Sequence, residues 1–499
     1  INASAAITLA AANVPVTVGG IPFYYGDTGS IYTHNVSGTD DTAQWNTAYG
    51  LTALDAITTG DSNTAVGFSA GGAVTTGASN VAIGYQALDN ADAESHNVAI
   101  GKDTMGGPVN GGEYNVGIGG NAFAALTSAD KNVAIGYGAG AAVTTNDMRV
   151  LIGYNAGTAL TTGDNCVFIG GEAGDGHDAE GHNIGIGRAA LGGAVAGGEF
   201  NVAVGSYTLD ALTSADNCTV VGYNAGTAIT TGANHTAIGN SAGKSVTTNA
   251  SNTYVGSLAG EDHTGENSVF IGHEAGLETT SGDGSVYIGH QAANTNSNTG
   301  NNNVVIGKEA GKALSDSGEN VFVGYKAGDV ITTGVGNIAI GYEADISAYQ
   351  QGNAICIGHT IVAAGNDFSF GKASNVVTND FDADADWARS SDERLKRNIE
   401  DSTLGLDFIN DLRPVKFQWK PSNEVPEELA TEYNETNQKN LDVVMHGFIA
   451  QEVKTAIDTH GDTTFGGWQL NKVDGVTQVT KKNMFIMPLV KAVQELSAQ

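Results

Sequence analysis

The sequence predicts a mainly β protein: a repetitive β-solenoid, or β-roll, of about 17 residues per coil, followed by a small α+β domain that ends in a helix. Three observations lead there. First, 19 glycines recur from Gly50, Gly67 and Gly84 to Gly341 and Gly358, spanning 308 residues in 18 steps, and all but Gly50 follow Val or Ile. A period that regular means one coil per repeat. Second, 70 glycines and only 7% aromatics leave an apolar content of small and β-branched side chains, which suits thin stacked strands better than a thick core. Third, the repeat stops near residue 372. Beyond Asp-rich residues 380 to 386 the chain turns to Lys, Glu, Trp and Pro.

These observations divide the chain into an N-terminal segment (1–45), a repeat shaft (46–372), a linker (373–390) and a C-terminal domain (391–499). The Ala-rich opening has neither an initiator methionine nor a basic flank, which reads as a processed or trimmed terminus and not as an intact signal peptide.

Within the shaft the best-kept stretch is Asn-Val-Ala-Ile-Gly, as at Asn80 to Gly84 and Asn132 to Gly136. Strand alternation places the residues one and three before the glycine on one face and the residue between them on the other. The β-branched pair is expected inside the coil, with Ala82, Ala99, Gly117 or Ala134 leaving a flat outer face. Phe168, Tyr254, Phe270, Tyr287 and Phe322 would be its bulky variants. Asn stands four before the glycine in 12 coils, which predicts an amide ladder from coil to coil. The second half of the coil, with Thr-Thr-Gly runs such as Thr75 to Gly77 and Thr230 to Gly232, reads as a turn, a short second strand and another turn. A longer repeat of 86 residues, five coils, relates the segment from Gly101 to that from Gly187.

Composition also excludes functions. The formal charge is -32, and residues 1–389 hold 10 Lys and Arg against 37 Asp and Glu. With no basic stripe to meet phosphates, nucleic acid and anionic lipid are unsuitable partners. No run of about 18 apolar residues exists to span a membrane as a helix. Cys166, Cys218 and Cys356 lie in different repeats and read as buried free thiols. His273, His290 and His359 share a column with Tyr85, Tyr137 and Tyr342, so they read as column replacements and not as a metal site. The Gly-rich runs recur with the coil and open no long helix, so they are not nucleotide loops. No cofactor is expected.

The Asn-x-Val-Ala-Ile-Gly coils resemble the head repeats of trimeric bacterial autotransporter adhesins, left-handed β-rolls packed three together, and similar repeats occur in phage tail fibres. The resemblance covers roughly residues 46–372. It implies a trimeric shaft, about 85 to 90 Å long for 18 steps at the usual strand spacing of about 4.8 Å.

In the C-terminal domain, SDERLKRNIED from Ser391, GLDFINDLRPVKFQWK from Gly405 and HGFIAQEVKTAI from His446 precede a helical pattern from Asn483, with Phe485, Ile486, Leu489, Val490, Val493 and Leu496 at helical spacing. Together and in this order they resemble the intramolecular chaperone domain of phage endosialidases, tail spikes and fibres, which is also classed as a self-cleaving serine peptidase. The resemblance implies Ser391 as nucleophile and Lys396 as its base. On chemical grounds, a Ser hydroxyl needs such a base at neutral pH, and a Lys serves when burial and neighbouring charge lower its pKa. The function implied is a homotrimeric virion fibre (tail fibre), extracellular and without membrane insertion. Its N-terminus would dock to a tail or baseplate protein and its shaft would bind a host cell-surface receptor, a glycan by expectation. The chaperone domain would direct trimerisation and then be released. A polysaccharide-degrading tail spike and a cell-surface trimeric adhesin are the alternatives.

Overall fold

A computed structural model describes residues 16–18, 21–25, 29–33, 42–295, 298–373, 375–380, 393–426, 443–462, 464–470, 478–480 and 482–498. The chain divides into two compact units, Ile1–Arg389 and Ser390–Gln499.

The first unit is the solenoid. Each coil contributes a three-residue strand just before its glycine, from Thr47–Tyr49 through Val81–Ile83 to Ile338–Ile340, and successive strands pair in parallel with matching residues opposite one another. At its start the antiparallel pair Val16–Val18 and Ile21–Tyr25 leads through Ile31–Tyr32 into the parallel ladder. At its end the strands lengthen to Ile355–His359 and Asp367–Lys372, and antiparallel Asn375–Asp380 closes the sheet. Antiparallel closures at both ends suit a parallel stack whose edge strands would otherwise recruit other chains.

Why glycine sits at every coil is clear at Gly84. Its φ of 137° is costly for any other residue, and a Cβ there would collide with the carbonyl of Gly101 in the next coil. Backbone passes backbone along this column too closely for a side chain.

The interior corrects the expected facing of the strands. Val81 and Ile83 lie on the outer face, whereas Ala82 between them is buried, and Phe168, Tyr254, Phe270, Tyr287 and Phe322 are likewise fully buried. The coil is too narrow for two β-branched residues to point inward. It admits one, and the aromatic ones are accommodated by Gly or Ala four after the coil glycine. Ala82 is matched with Leu88 and Ala203 with Leu209, whereas Phe168 is matched with Gly174 and Phe322 with Gly328. A Cβ on Gly174 or Gly328 would run into the aromatic ring.

The Asn column is also internal, and its bonds run mainly through the backbone. Asn63 Oδ1 accepts the N–H of Asn80 in the next coil (2.9 Å), and Asn63 Nδ2 donates to the Gly77 carbonyl (2.9 Å). Direct amide-to-amide bonds join only some steps, such as Asn132 Nδ2 to Asn115 Oδ1 (3.1 Å). Arg149 takes the column's place in one coil, fully buried, its guanidinium donating to the carbonyls of Gly163, Asn146 and Thr145. Cys166 and Cys218 occupy the same column, and all three cysteines are free and buried, as expected. Burial pushes each thiol up to about 11.

Of the three coils that carry an eighteenth residue, Gly101 to Gly119, Gly187 to Gly205 and Gly289 to Gly307, the first two share one device. Each is held by a buried carboxylate from the coil before it. Glu94 accepts the backbone N–H groups of Asp92, Ala93 and Gly111, and Glu180 accepts those of Asp178, Ala179 and Gly197. The extra residue is absorbed in the turn, so the strands stay in step.

Candidate functional site

The second unit is built around one small aromatic core. Helix α1 (Leu406–Asp411) buries Phe408, helix α2 (Ala450–His460) buries Val453, Ala456 and Ile457, and Phe485 closes the cluster with Leu404. Phe408 and Phe485 lie parallel, with centroids 6.4 Å apart, and Phe465 packs edge-on to both. Two short antiparallel pairs complete the unit, Val415–Phe417 with Met445–Gly447 and Trp468–Leu470 with Gln478–Thr480.

Polar bonds fix the helices to one another. The Leu406 N–H at the start of α1 donates to Glu495 Oε2 of helix α3 (Ile486–Ser497) at 2.7 Å, satisfying a donor that the helix itself cannot. His460 Nε2 meets Asp411 Oδ2 at 2.8 Å, and Arg413 pairs with Glu452. Helix α2 stops at Gly461, whose φ of 71° reverses the chain.

Helix α3 turns Pro488 and Ala492 inward and leaves Ile486, Leu489, Val490, Val493 and Leu496 about half exposed. The sequence groups Phe485 with these residues, yet it points into the core. Ile486, Leu489, Val493 and Leu496 follow the three-four-three spacing of a helix-packing seam. Helical periodicity finds the stripe. It does not say which member anchors the helix to its own domain.

The sequence-predicted dyad has only one member in view. Lys396 directly follows a single 3-10 turn, Glu393–Leu395, its N–H donating to the Glu393 carbonyl at 2.9 Å and its side chain exposed. Ser391 lies outside the described residues. Among the described residues no group of three or more His, Cys, Asp or Glu is gathered to hold a metal, and no helix is long and apolar enough to cross a membrane.

A family model described as the chaperone of endosialidase matches residues 391–462. The match takes in the turn before Lys396, α1, the first antiparallel pair and α2, and it ends before α3. No curated protein and no solved structure matches the chain.

Proposed function

We propose that the chain is one subunit of a homotrimeric virion fibre: a β-solenoid shaft whose C-terminal domain brings three chains together and then cuts itself off. The observation that carries the reading is the apolar stripe of α3 in a domain that matches the endosialidase chaperone. A half-exposed seam of that composition needs a partner. β-branched Ile486 and Val493 alternating with Leu489 and Leu496 would suit two strands. Exposed Val490 and Met487 widen the stripe beyond one seam, so that each helix can face two neighbours.

Cleavage follows from the same assembly. The Ser391 hydroxyl attacks the scissile carbonyl, Lys396 takes its proton and returns it to the departing amine, and water then releases the acyl group. A lysine acts as a base only when it is desolvated. The Lys396 side chain is exposed among the described residues, so burial by the other subunits would activate it and time the cut after trimerisation. The N-terminal segment would dock to a tail or baseplate protein, and the shaft would meet a host-surface glycan.

Intact-mass measurement combined with light scattering tests the reading. Wild type should form a trimer and lose a C-terminal fragment beginning near Ser391. Ser391→Ala and Lys396→Ala should stay full length yet trimeric. Cutting that persists in both variants removes the dyad, and a stable monomer at micromolar concentration removes the fibre.

A further inference from the structure

Three histidines lie inside the solenoid. His177 and His263 are fully buried and His235 is 1% exposed, whereas His96, His182, His273, His290 and His359 stand on the surface. The three fall within six successive coils, Gly170 to Gly272.

His235 stands in the Asn column and copies the amide. Its Nδ1 accepts the Asn252 N–H of the next coil (3.3 Å) and its Nε2–H donates to the Asn249 carbonyl (2.8 Å), the two kinds of bond that Asn63 makes with Asn80 and Gly77. Only a neutral imidazole has a lone pair to offer that N–H. His263 is neutral by the same logic. The Tyr254 hydroxyl donates to its Nδ1 (2.6 Å) and its Nε2–H donates to the Gly282 carbonyl (3.2 Å). A proton on Nδ1 would turn the hydroxyl hydrogen away from its acceptor, in an interior shared with Phe270. His177 stands 86 residues earlier, with Phe168 in place of Tyr254. Lacking that hydroxyl, neither of its ring nitrogens finds a hydrogen-bond partner among the described residues.

Nearby charges do not offset the burial. Glu180 faces His177 but already accepts three backbone N–H groups, and Asp283 faces His263 with its Oδ1 on the Glu266 N–H (2.9 Å). His235 also faces His263, where a second positive charge would repel the first. The Cys218 thiol, one coil before His235, is pushed up to about 11 and stays neutral. Among the described residues ion pairs reach His182, His273 and His460, and none of these three.

We propose that the six coils from Gly170 to Gly272 form an acid-released joint, folded while its three buried imidazoles are neutral and the first stretch of the shaft to open when protons compete for them. Each imidazole faces the interior of its own coil, so the joint does not rest on the trimer reading. The sign follows from burial, which pushes His177 and His263 from 6.5 down to about 4 and lowers His235. An opened coil binds its proton near 6.5, so this stability is complete above that value and is lost as pH falls toward 4. From pH 7 to pH 5 opening gains about 20-fold for each of His177 and His263, or about 400-fold where both open together. Coils couple only to their neighbours, so the effect stays local.

Native-state hydrogen exchange of the full-length protein, read at pH 7 and pH 5 and corrected for intrinsic rates, tests the joint. Peptides holding Thr219–Val221, Thr236–Ile238 and Val269–Ile271 should lose about 20-fold more protection on acidification, or above, than peptides holding Val81–Ile83 and Val304–Ile306. His177→Leu, which copies Leu160 one coil earlier, combined with His235→Asn, Tyr254→Phe and His263→Leu, should remove that difference. Equal loss in all coils of the wild type, or a difference that survives in the combined variant, would overturn the proposal. Should the combined variant fail to fold by circular dichroism, His177→Leu and His235→Asn are read singly. Each should shrink the difference several-fold, and no change in either overturns the joint.

Discussion

At the residue scale, the informative positions are those where a column is broken. Glu94 and Glu180 each satisfy three backbone N–H groups with a buried carboxylate. Glu94→Ala should cost about 2 to 4 kcal/mol locally, since three buried donors lose their acceptor. Hydrogen exchange at Gly111 should speed up while exchange several coils away does not. Asp345 breaks another column, four after its glycine, where other coils place Leu, Met, Phe, Val, Ala or Gly. Burial and the nearby Asp329 carboxyl raise its pKa to about 7. In the unfolded chain the group ionises near the ordinary value of 3.8. The folded state therefore keeps a proton that the unfolded state has lost, and stability falls as pH rises from about 4 to about 7. Asp345→Asn should be more stable than wild type at pH 8, by about 1 to 2 kcal/mol after allowance for solvent, and no more stable at pH 4. Denaturant melts of the shaft at both pH values check the sign. Sequence reasoning found the Asn column but not its bonding, because amide-to-amide and amide-to-backbone ladders share one spacing. The buried Arg149 stands in that column only by register.

At the element scale, the strand before each glycine was legible to the residue but its facing was not, and the short second strand expected in every coil forms, among the described residues, only at Asp345–Ile346 and Val362–Ala363, turns standing elsewhere. The expectation that β-branched residues fill the interior fails because the coil interior is narrower than a strand pair needs. The signal was present in the variation. The residue between the two β-branched positions ranges from Gly117 to Tyr254, and wherever it is aromatic the position four after the glycine is Gly or Ala. The flanking residues vary little. Phe168→Ala should therefore cost about 3 to 5 kcal/mol. Phe168→Ala combined with Gly174→Leu rebuilds the Ala82 and Leu88 arrangement and should recover most of that loss, as a double-mutant cycle by thermal unfolding would register. Leu88 holds a φ of 53°, so a leucine is already tolerated at this backbone position. In α3 the spacing revealed the apolar stripe, while the split between Phe485 inside and Leu489 outside depended on aromatic packing across three segments. Leu489→Lys with Val493→Lys should lower trimer yield by tenfold or more and leave the domain core folded. Light scattering beside near-UV circular dichroism separates the two effects.

At the scale of the whole molecule, a shaft whose coils touch only their neighbours folds by addition, and in the proposed trimer three of them must add in step. Exposed strand ends and non-local registration make that slow and prone to aggregation. If the C-terminal domain supplies the register, unfolded Ser391→Ala chains should regain trimeric shaft on dilution from denaturant in several-fold higher yield than chains ending at residue 390. Equal yields would leave the domain without an assembly role. The addition rule also bears on the 86-residue repeat. Removing residues 101–186 brings Ile100 directly before Gly187 and sets Glu94 one coil ahead of Gly197, the very relation it now has to Gly111. The splice leaves no scar: strand, glycine column and carboxylate lock all meet a matching counterpart. Such a chain should form the same solenoid, shorter by five coils or about 24 Å in electron micrographs. Solenoid length is then a counted quantity, changed by recombination in whole blocks like links in a chain, in one genetic step and without redesigning a contact.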